Sequence, residues 1–397
     1  MNIKEIKYLI QSANINFMIG SGISRPYLAT LGSIEIWLTH LYEDMKTHSE
    51  NEYKIVEASI YKAFYEKVIA PNKFYDHRNP DYLTTKGNYK KFLIIWNNLL
   101  NKRYSRILNK QINLFTTNVD LMIEDAASGM GLELNDGFRG SVKAMYDEAN
   151  FMKSVSQTSL HFQHTSEIPV FNLLKIHGSI NWKESEKRIE NNILWSYYIG
   201  NALKVIDNDK FINPYETDAD GNIMEKAYNK LIEDAKKLAI TDVTIYNDFI
   251  NNYKKLIIVN PTKRKFVETV MDYHFYELMR IYSNALEKEN SILFVIGFSF
   301  ADEHIATLTR RAAESNPTLK IIVFVFCDAE EAAIKKNLGI GTICVNNNIA
   351  IITPADLKGA NKDDEYKELM GKIEYFDMAT INEIFEFMDK MIHANYE

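Results

Sequence analysis

The sequence predicts an α/β fold built on a parallel sheet with helices on both faces and helical insertions, and three observations carry that expectation. Short, near-continuous apolar runs recur along the chain, as strands buried on both faces should. Most are followed at their C-terminal ends by glycine or by hydroxyl, amide or imidazole side chains. Its last third alternates apolar run and helical period, the pattern of right-handed βαβ packing. Together these features describe a Rossmann-like sheet.

The first run, Phe17-Met18-Ile19, enters Gly20-Ser21-Gly22-Ile23-Ser24. Glycines permit a tight turn and let backbone N–H groups approach a pyrophosphate, and Ser24 reads as the N-cap of a following helix whose dipole would assist. The third glycine of G-x-G-x-x-G is absent, and Arg25-Pro26 follows. Residues 33–110 read as mostly helical, with apolar spacing over Ile34–Met45, Lys54–Ile69 and Tyr89–Asn109, and predict a layer over a cofactor cleft. Asn72–Lys86, which includes Pro80, reads as an exposed connection.

A second run, Ile112–Phe115, delivers Thr116-Thr117-Asn118-Val119-Asp120 ahead of a helical Leu121–Ala127. A third, Phe171–Ile176, ends at His177-Gly178-Ser179, where an imidazole beside a glycine can serve as a base with room for a substrate. Residues 183–253 read as a non-sheet insertion holding Glu184–Asn192, an aromatic Leu194–Tyr198, a polar turn at Asp218–Asn222 and a helix over Met224–Leu238. Sheet strands are then expected at Leu256–Val259, Ser291–Ile296 and Lys320–Phe326, separated by helices Phe266–Glu287 and Asp302–Ser315. Asn260–Lys263 places Thr262 and Lys263 as pocket candidates, and Gly297-Phe298-Ser299 closes the next strand. Asp302 and His304 read as cap or surface residues. One domain over residues 1–355, with insertions at about 33–110 and 183–253, and a helical tail at 356–397 ending in Ile381–Ile392 is the expected organisation.

Composition narrows the function classes. The net charge of −7 over 397 residues argues against broad, sequence-independent nucleic-acid binding. Lys254-Lys255 and Lys263-Arg264-Lys265 read as solvated lysines and arginine rather than a phosphate-binding patch. Apolar runs long enough to span a bilayer are lacking, and Met1–Glu5 lacks a secretory pattern, so a soluble cytoplasmic protein without membrane contact is expected. Cys327 and Cys344 stand seventeen positions apart with no Cys-x-x-Cys pair, which excludes a thiolate zinc module and suits a reducing compartment. His161 and His164 have no acidic or thiol partner at matching spacing, so no metal is expected there.

Four motifs, in order, resemble those of the sirtuin family in its divergent bacterial branch. Gly20-Ser21-Gly22-Ile23-Ser24 is similar to the family's Gly-Ala-Gly-x-Ser loop, and Thr117-Asn118-Val119-Asp120 to its Gln-Asn-Ile-Asp. Ile176-His177-Gly178 is similar to its catalytic His-Gly, and Gly297-Phe298-Ser299 to its late Gly-Thr-Ser. The resemblance, which covers roughly residues 10–330, implies NAD as the ligand and substrate. It assigns Gly20, Ser21, Gly22, Ser24, Thr117, Asp120, Gly297 and Ser299 to NAD binding and Asn118 and His177 to catalysis. Asn118 would fix a ribose hydroxyl or the attacking water, Asp120 the nicotinamide carboxamide, and His177 would accept a proton.

Departures from the family pattern shift the expected chemistry. The four zinc cysteines of protein deacylases are missing, and Pro26–Glu35 replaces their Gly-Ile-Pro-Asp-Phe-Arg loop. What remains resembles the sirtuin-like NAD hydrolases of antiphage defence, which release nicotinamide and ADP-ribose. The same resemblance implies a homo-oligomer assembled with a HerA-type DNA-translocating ATPase, which would make any nucleic-acid contact. A cyclising enzyme, a deacylase or ADP-ribosyltransferase, a nucleotide-sensing subunit without turnover and an Argonaute-type partner are the competing readings.

Overall fold

The computed structural model describes the chain apart from residues 30–33, 45–48, 74–76, 104–107, 162, 204–207, 219–220, 222, 239, 241, 260–272, 341–346 and 394–397. Seven strands form a parallel central sheet: β1 (Asn14–Ile19), β2 (Gln111–Thr116), β3 (Glu133–Asn135), β4 (Val170–Lys175), β5 (Ser291–Ile296), β6 (Lys320–Phe324) and β7 (Ile349–Ile352). Their order is β7-β6-β5-β1-β2-β4-β3. From β1 the chain builds outward through β2 and β4, then crosses back and builds the other way from β5. The order therefore reverses between β1 and β5, which is where open α/β sheets leave a crevice for a ligand.

Alternation within β1 explains why the run is apolar throughout. Phe17 and Ile19 face one core, with Leu114 and Phe294, while Met18 faces the other, with Phe115, Leu174 and Val295. Helices Ile3–Ser12, Pro80–Asn101 and Met378–His393 cover the first face. There Phe17 packs edge-on against Phe92, Trp96 and Phe385 and stacks on Phe294. Helices Tyr273–Glu287 and Glu303–Ser315 cover the second, with Phe115 edge-on to Tyr282, whose hydroxyl meets Thr309 Oγ1 at 2.7 Å.

One polar row crosses this apolar sheet. Asn16, Asn113, Asn172 and Asn135 stand in register on β1, β2, β4 and β3. Asn113 Nδ2 donates to Asn16 Oδ1 (2.8 Å), Asn172 Nδ2 to Asn113 Oδ1 (3.0 Å) and Asn135 Nδ2 to Asn172 Oδ1 (3.0 Å), while Asn16 Nδ2 donates to Ile292 O (3.2 Å). A slip of one residue would turn each amide toward the opposite, apolar core, so the row fixes register.

A third core joins the two inserted stretches. Helices Ile34–Glu43 and Glu50–Phe64 pack with Trp195–Leu203, Tyr228–Leu238 and Thr244–Tyr253, and Tyr61 stacks on Tyr253 with ring centroids 4.4 Å apart. Val119, Leu121 and Ile180, from the loops after β2 and β4, belong to the same cluster. The helical layer is thereby anchored to the site loops.

Several expectations are corrected. Asn72–Lys86 is not a connection throughout: Asn79 caps a helix that starts at Pro80, and Tyr82 and Thr85 are buried in it. Proline at the first helical position is a start signal, because its missing N–H would be unpaired there anyway. Leu256–Val259 is not a sheet strand. Ile258 forms only an isolated antiparallel bridge with Gly178, and the backbone of the run is occupied by the His177–Ser179 loop. Residues 183–253 are not free of sheet either. Trp182–Ser185 pairs with Arg188–Asn191 through Glu186 and Lys187 at positive φ, and Tyr215–Thr217 pairs with Ile223–Glu225.

Thr262, Lys263 and Cys344 lie outside the described residues, as does the start of the expected Phe266–Glu287 helix. The helix described there runs from Tyr273 to Glu287. Among the described residues no helix is long and apolar enough to cross a membrane.

Candidate functional site

The ends of β1 and β5 meet backbone to backbone. Gly20 N donates to Ile296 O (3.0 Å) and Gly22 N to Gly297 O (3.1 Å). A Cβ on Gly20 would lie 2.7 Å from Phe298 Cα with the Gly297 carbonyl oxygen closer still. Gly297 itself sits at φ +61°, and a Cβ there would lie 2.7 Å from Ile23 N. The glycines are thus required for the close approach of two loops at the switch point.

Beyond them Ser21–Ser24 makes a single 3₁₀ turn, followed by a cis Arg25–Pro26 bond. Ser24 is therefore not an N-cap: it ends that turn, and the next described helix starts at Ile34. Among the described residues no helix dipole stands directly behind the glycines, because Arg25, the residue before Pro26, is held in extended backbone (φ −73°, ψ 151°) and ends the turn. Ser24 is instead buried, and its Oγ lies 2.9 Å from Tyr89 OH, donates to Asp120 Oδ2 at 3.2 Å and accepts from Asn118 Nδ2 at 3.3 Å.

The loop after β2 is bracketed by Thr116, whose Oγ1 donates to Ile19 O (2.8 Å) and accepts from Asn118 N (3.0 Å). Asn118 is buried, and its Nδ2 also donates to Gly20 O at 3.2 Å. Its Oδ1 is buried with no hydrogen-bond partner. Asp120 Oδ1 accepts from Met122 N (3.0 Å) at the start of the Met122–Ala127 helix. Burial pushes the Asp120 carboxyl up from its ordinary value, opposed by the nearby Lys175 ammonium and by hydrogen bonds from Met122 and Ser24.

Lys175, the last residue of β4, is buried beneath this loop. Its Nζ donates to the Asp120 carbonyl and to Ser179 Oγ (2.9 Å) and pairs with Glu124 Oε1 (2.7 Å). Burial raises the Glu124 carboxyl too, against the same ammonium. His177 follows, buried, its carbonyl accepting from Val259 N at 2.9 Å. Gly178 takes φ +76°, and a Cβ there would lie 3.0 Å from the Ile257 carbonyl carbon with the oxygen nearer. His177 Nε2 lies 3.1 Å from Asp302 Oδ2.

Gly20, Ser24, Asn118 and Asp120 thus form one connected network, and Gly22 joins Gly297 beside it. Ser21 and Thr117 are half-buried, and Ser299 is exposed, its carbonyl accepting from Asn337 Nδ2 (2.9 Å). Four residues of the site lie outside the sequence motifs: Thr116, Tyr89, Lys175 and, in its contact with His177, Asp302. Lys175 left a signal, a charge inside an otherwise apolar strand run, whereas Tyr89 sits on a helix face where tyrosine reads as core. Among the described residues no group of His, Cys, Asp and Glu could hold a metal ion, and His161 and His164 are exposed.

Comparison with known proteins follows the same lines. No curated protein matches the sequence. Two solved structures are similar at 12% identity: a Sir2 mutant with a p53 peptide and NAD, over 81% of this chain and 86% of that one at a TM-score of 0.32, and a Sir2 enzyme, over 98% of each at 0.34. Likeness at that level carries no argument about chemistry. A family model described as the SIR2-like domain matches residues 112–343, from β2 past β6. That match spans more than half of the sequence, and the chain belongs to the SIR2-like domain family.

Proposed function

We propose that this chain is an NAD glycohydrolase that cleaves the nicotinamide–ribose bond to release nicotinamide and ADP-ribose. The observation that carries the reading is Asn118. Its amide nitrogen is committed to Gly20 O and Ser24 Oγ, and its Oδ1 is left buried with no hydrogen-bond partner beside the switch point. An unpaired buried acceptor costs about 1–3 kcal/mol, a cost that a ligand hydroxyl or bound water would remove.

In this reading NAD is the substrate. The Gly20–Ser24 turn would hold the pyrophosphate side with Ser21, Gly297 and Ser299, and Thr117 would line the same cleft. Asn118 Oδ1 would accept from a ribose hydroxyl or from water, and Asp120 would meet the nicotinamide carboxamide. His177 would take the proton that water loses. A leaving group that departs neutral needs no acid, so orientation and fixed dipoles supply most of the rate.

The biological setting in this reading is NAD depletion in antiphage defence, in the cytoplasm, gated by assembly of the chain with itself and with a HerA-type ATPase. Its support is the resemblance of the ordered motifs. Chromatography of products after incubation with NAD, with and without such a partner, DNA and ATP, tests the activity. Equimolar nicotinamide and ADP-ribose supports hydrolysis; ADP-ribosylated protein, or intact NAD in every mixture, counts against it.

A further inference from the structure

We propose that Lys175 is a positioning residue that locks the loop carrying Asn118 to the loop carrying His177, so that the two are held as one unit. The effect on rate rests on the glycohydrolase reading; the lock itself does not. β2 and β4 are parallel neighbours with Thr116 level with Lys175, so the loops that leave them start side by side. Lys175 Nζ ties them together. It donates to the Asp120 carbonyl in the first loop and to Ser179 Oγ (2.9 Å) in the second, and it is ion-paired with Glu124 Oε1 at 2.7 Å.

Alternation along β4 puts Lys175 on the same face as Phe171 and Leu173. That core also holds Met122, Ile123 and Ala126 of the Met122–Ala127 helix, which carries Glu124 in its first turn. Lys175 is 4% exposed, at the end of a strand buried throughout. Stability alone gives little reason for an ion pair there. Burial pushes the Glu124 carboxyl up against the influence of the ammonium, and among the described residues its buried Oε2 has no hydrogen-bond partner. A buried pair left half satisfied is often matched or bettered by apolar side chains of similar volume. Apolar side chains cannot, however, donate to a carbonyl in one loop and a hydroxyl in another.

The two loops also meet at Val119, whose carbonyl accepts from Ile180 N (3.1 Å) and Ser179 Oγ (3.4 Å). Lys175 holds the next carbonyl along. With two successive carbonyls fixed, the rotation about Asp120 that one bond would leave is removed. Variants separate this role from stability. K175M removes the donor but strands the buried Glu124 carboxylate, so its lower melting point would report the unpaired charge. K175M/E124L removes both charges and should recover most of that loss. S179A deletes one bond of the lock and no charge.

The experiment measures kcat and KM for NAD cleavage, and hydrogen exchange at the Asn118 and Ile180 amides, in the full chain of wild type, K175M/E124L and S179A, each with its melting curve. K175M/E124L should lose on the order of 10²-fold in kcat, the scale for a small misplacement of reacting groups, with KM little changed. Both amides, bonded in wild type to Thr116 Oγ1 and Val119 O, should exchange on the order of tenfold faster. S179A should shift the same quantities in the same direction by less. Wild-type exchange at both amides, or wild-type kcat, in a folded K175M/E124L overturns the proposal, because the pair would then be structural only. Where the double variant does not fold, an S179A unchanged in rate and exchange overturns it. Faster exchange in a chain whose wild type cleaves no NAD upholds the lock and sinks the glycohydrolase reading. Cleavage that requires Asn118, with loop exchange unchanged in K175M/E124L, does the reverse.

Discussion

The carbonyl of Gly297 occupies the space that a side chain on Gly20 would need, and Phe298 Cα stands 2.7 Å from that position. Both obstacles are backbone, which cannot rotate aside as a side chain could. G20A should therefore lose about 1–3 kcal/mol of stability by overpacking before any effect on a ligand is considered. G22A meets the Gly297 oxygen at 3.0 Å and should cost less. Urea midpoints of the two variants, measured side by side, check the order.

Asp120 couples the site to pH. Burial raises its carboxyl above the ordinary value. A group raised in this way contributes stability that is fully present below its unfolded value and is lost as pH rises through the folded one. Wild type thus carries a penalty at neutral pH that D120N, with no charge to bury, does not. The stability of D120N relative to wild type should increase between about pH 4 and about pH 8. Thermal midpoints at the two pH values decide it, and a gap independent of pH would contradict the assignment.

The asparagine row predicts a register effect. N113L would leave Asn16 Oδ1 and the Nδ2 hydrogen that Asn172 aims at Asn113 without those partners, inside a sheet buried on both faces. Each unsatisfied group costs about 1–3 kcal/mol, so the variant should be markedly less stable although leucine is the more apolar residue. Denaturation with urea measures this.

Phe385, on the last helix, packs edge-on against Phe17, Trp96, Phe294 and Phe324. F385A should cost about 3–5 kcal/mol, the scale for a large buried aromatic. The C-terminal stretch reads from sequence as a helical tail outside the domain, and a loss this size would establish its closing helix as part of the sheet's own core.

Strands β1, β2, β4, β5 and β6 are legible because burial on both faces leaves a near-continuous apolar run. β3 and β7 are not, since Glu133–Asn135 is a short, partly exposed polar edge and Ile349–Ile352 is only half-buried at the other edge. Leu256–Val259 shows the limit of the signal: an apolar run reports burial, not its pairing partner, and this one packs on the His177 loop. Ser24 reads as a cap because serine after a glycine turn commonly is one, yet its hydroxyl is taken up by Tyr89 and Asp120. Asn118 and His177 are visible as polar residues at strand ends. Tyr89 and Asp302 depend on contacts between distant segments, 65 and 125 positions along the chain, which no local pattern contains.

The most direct test of the account is the rate of nicotinamide release from NAD by wild type and by Asn118→Ala, each under the conditions in which wild type is active and each shown to be folded by its melting curve. The account predicts a loss on the order of 10²–10³-fold, because the alanine removes the fixed amide dipole that orients ribose or water. Undiminished release by a folded Asn118→Ala would contradict it, since the buried oxygen of Asn118 would then play no part in the chemistry.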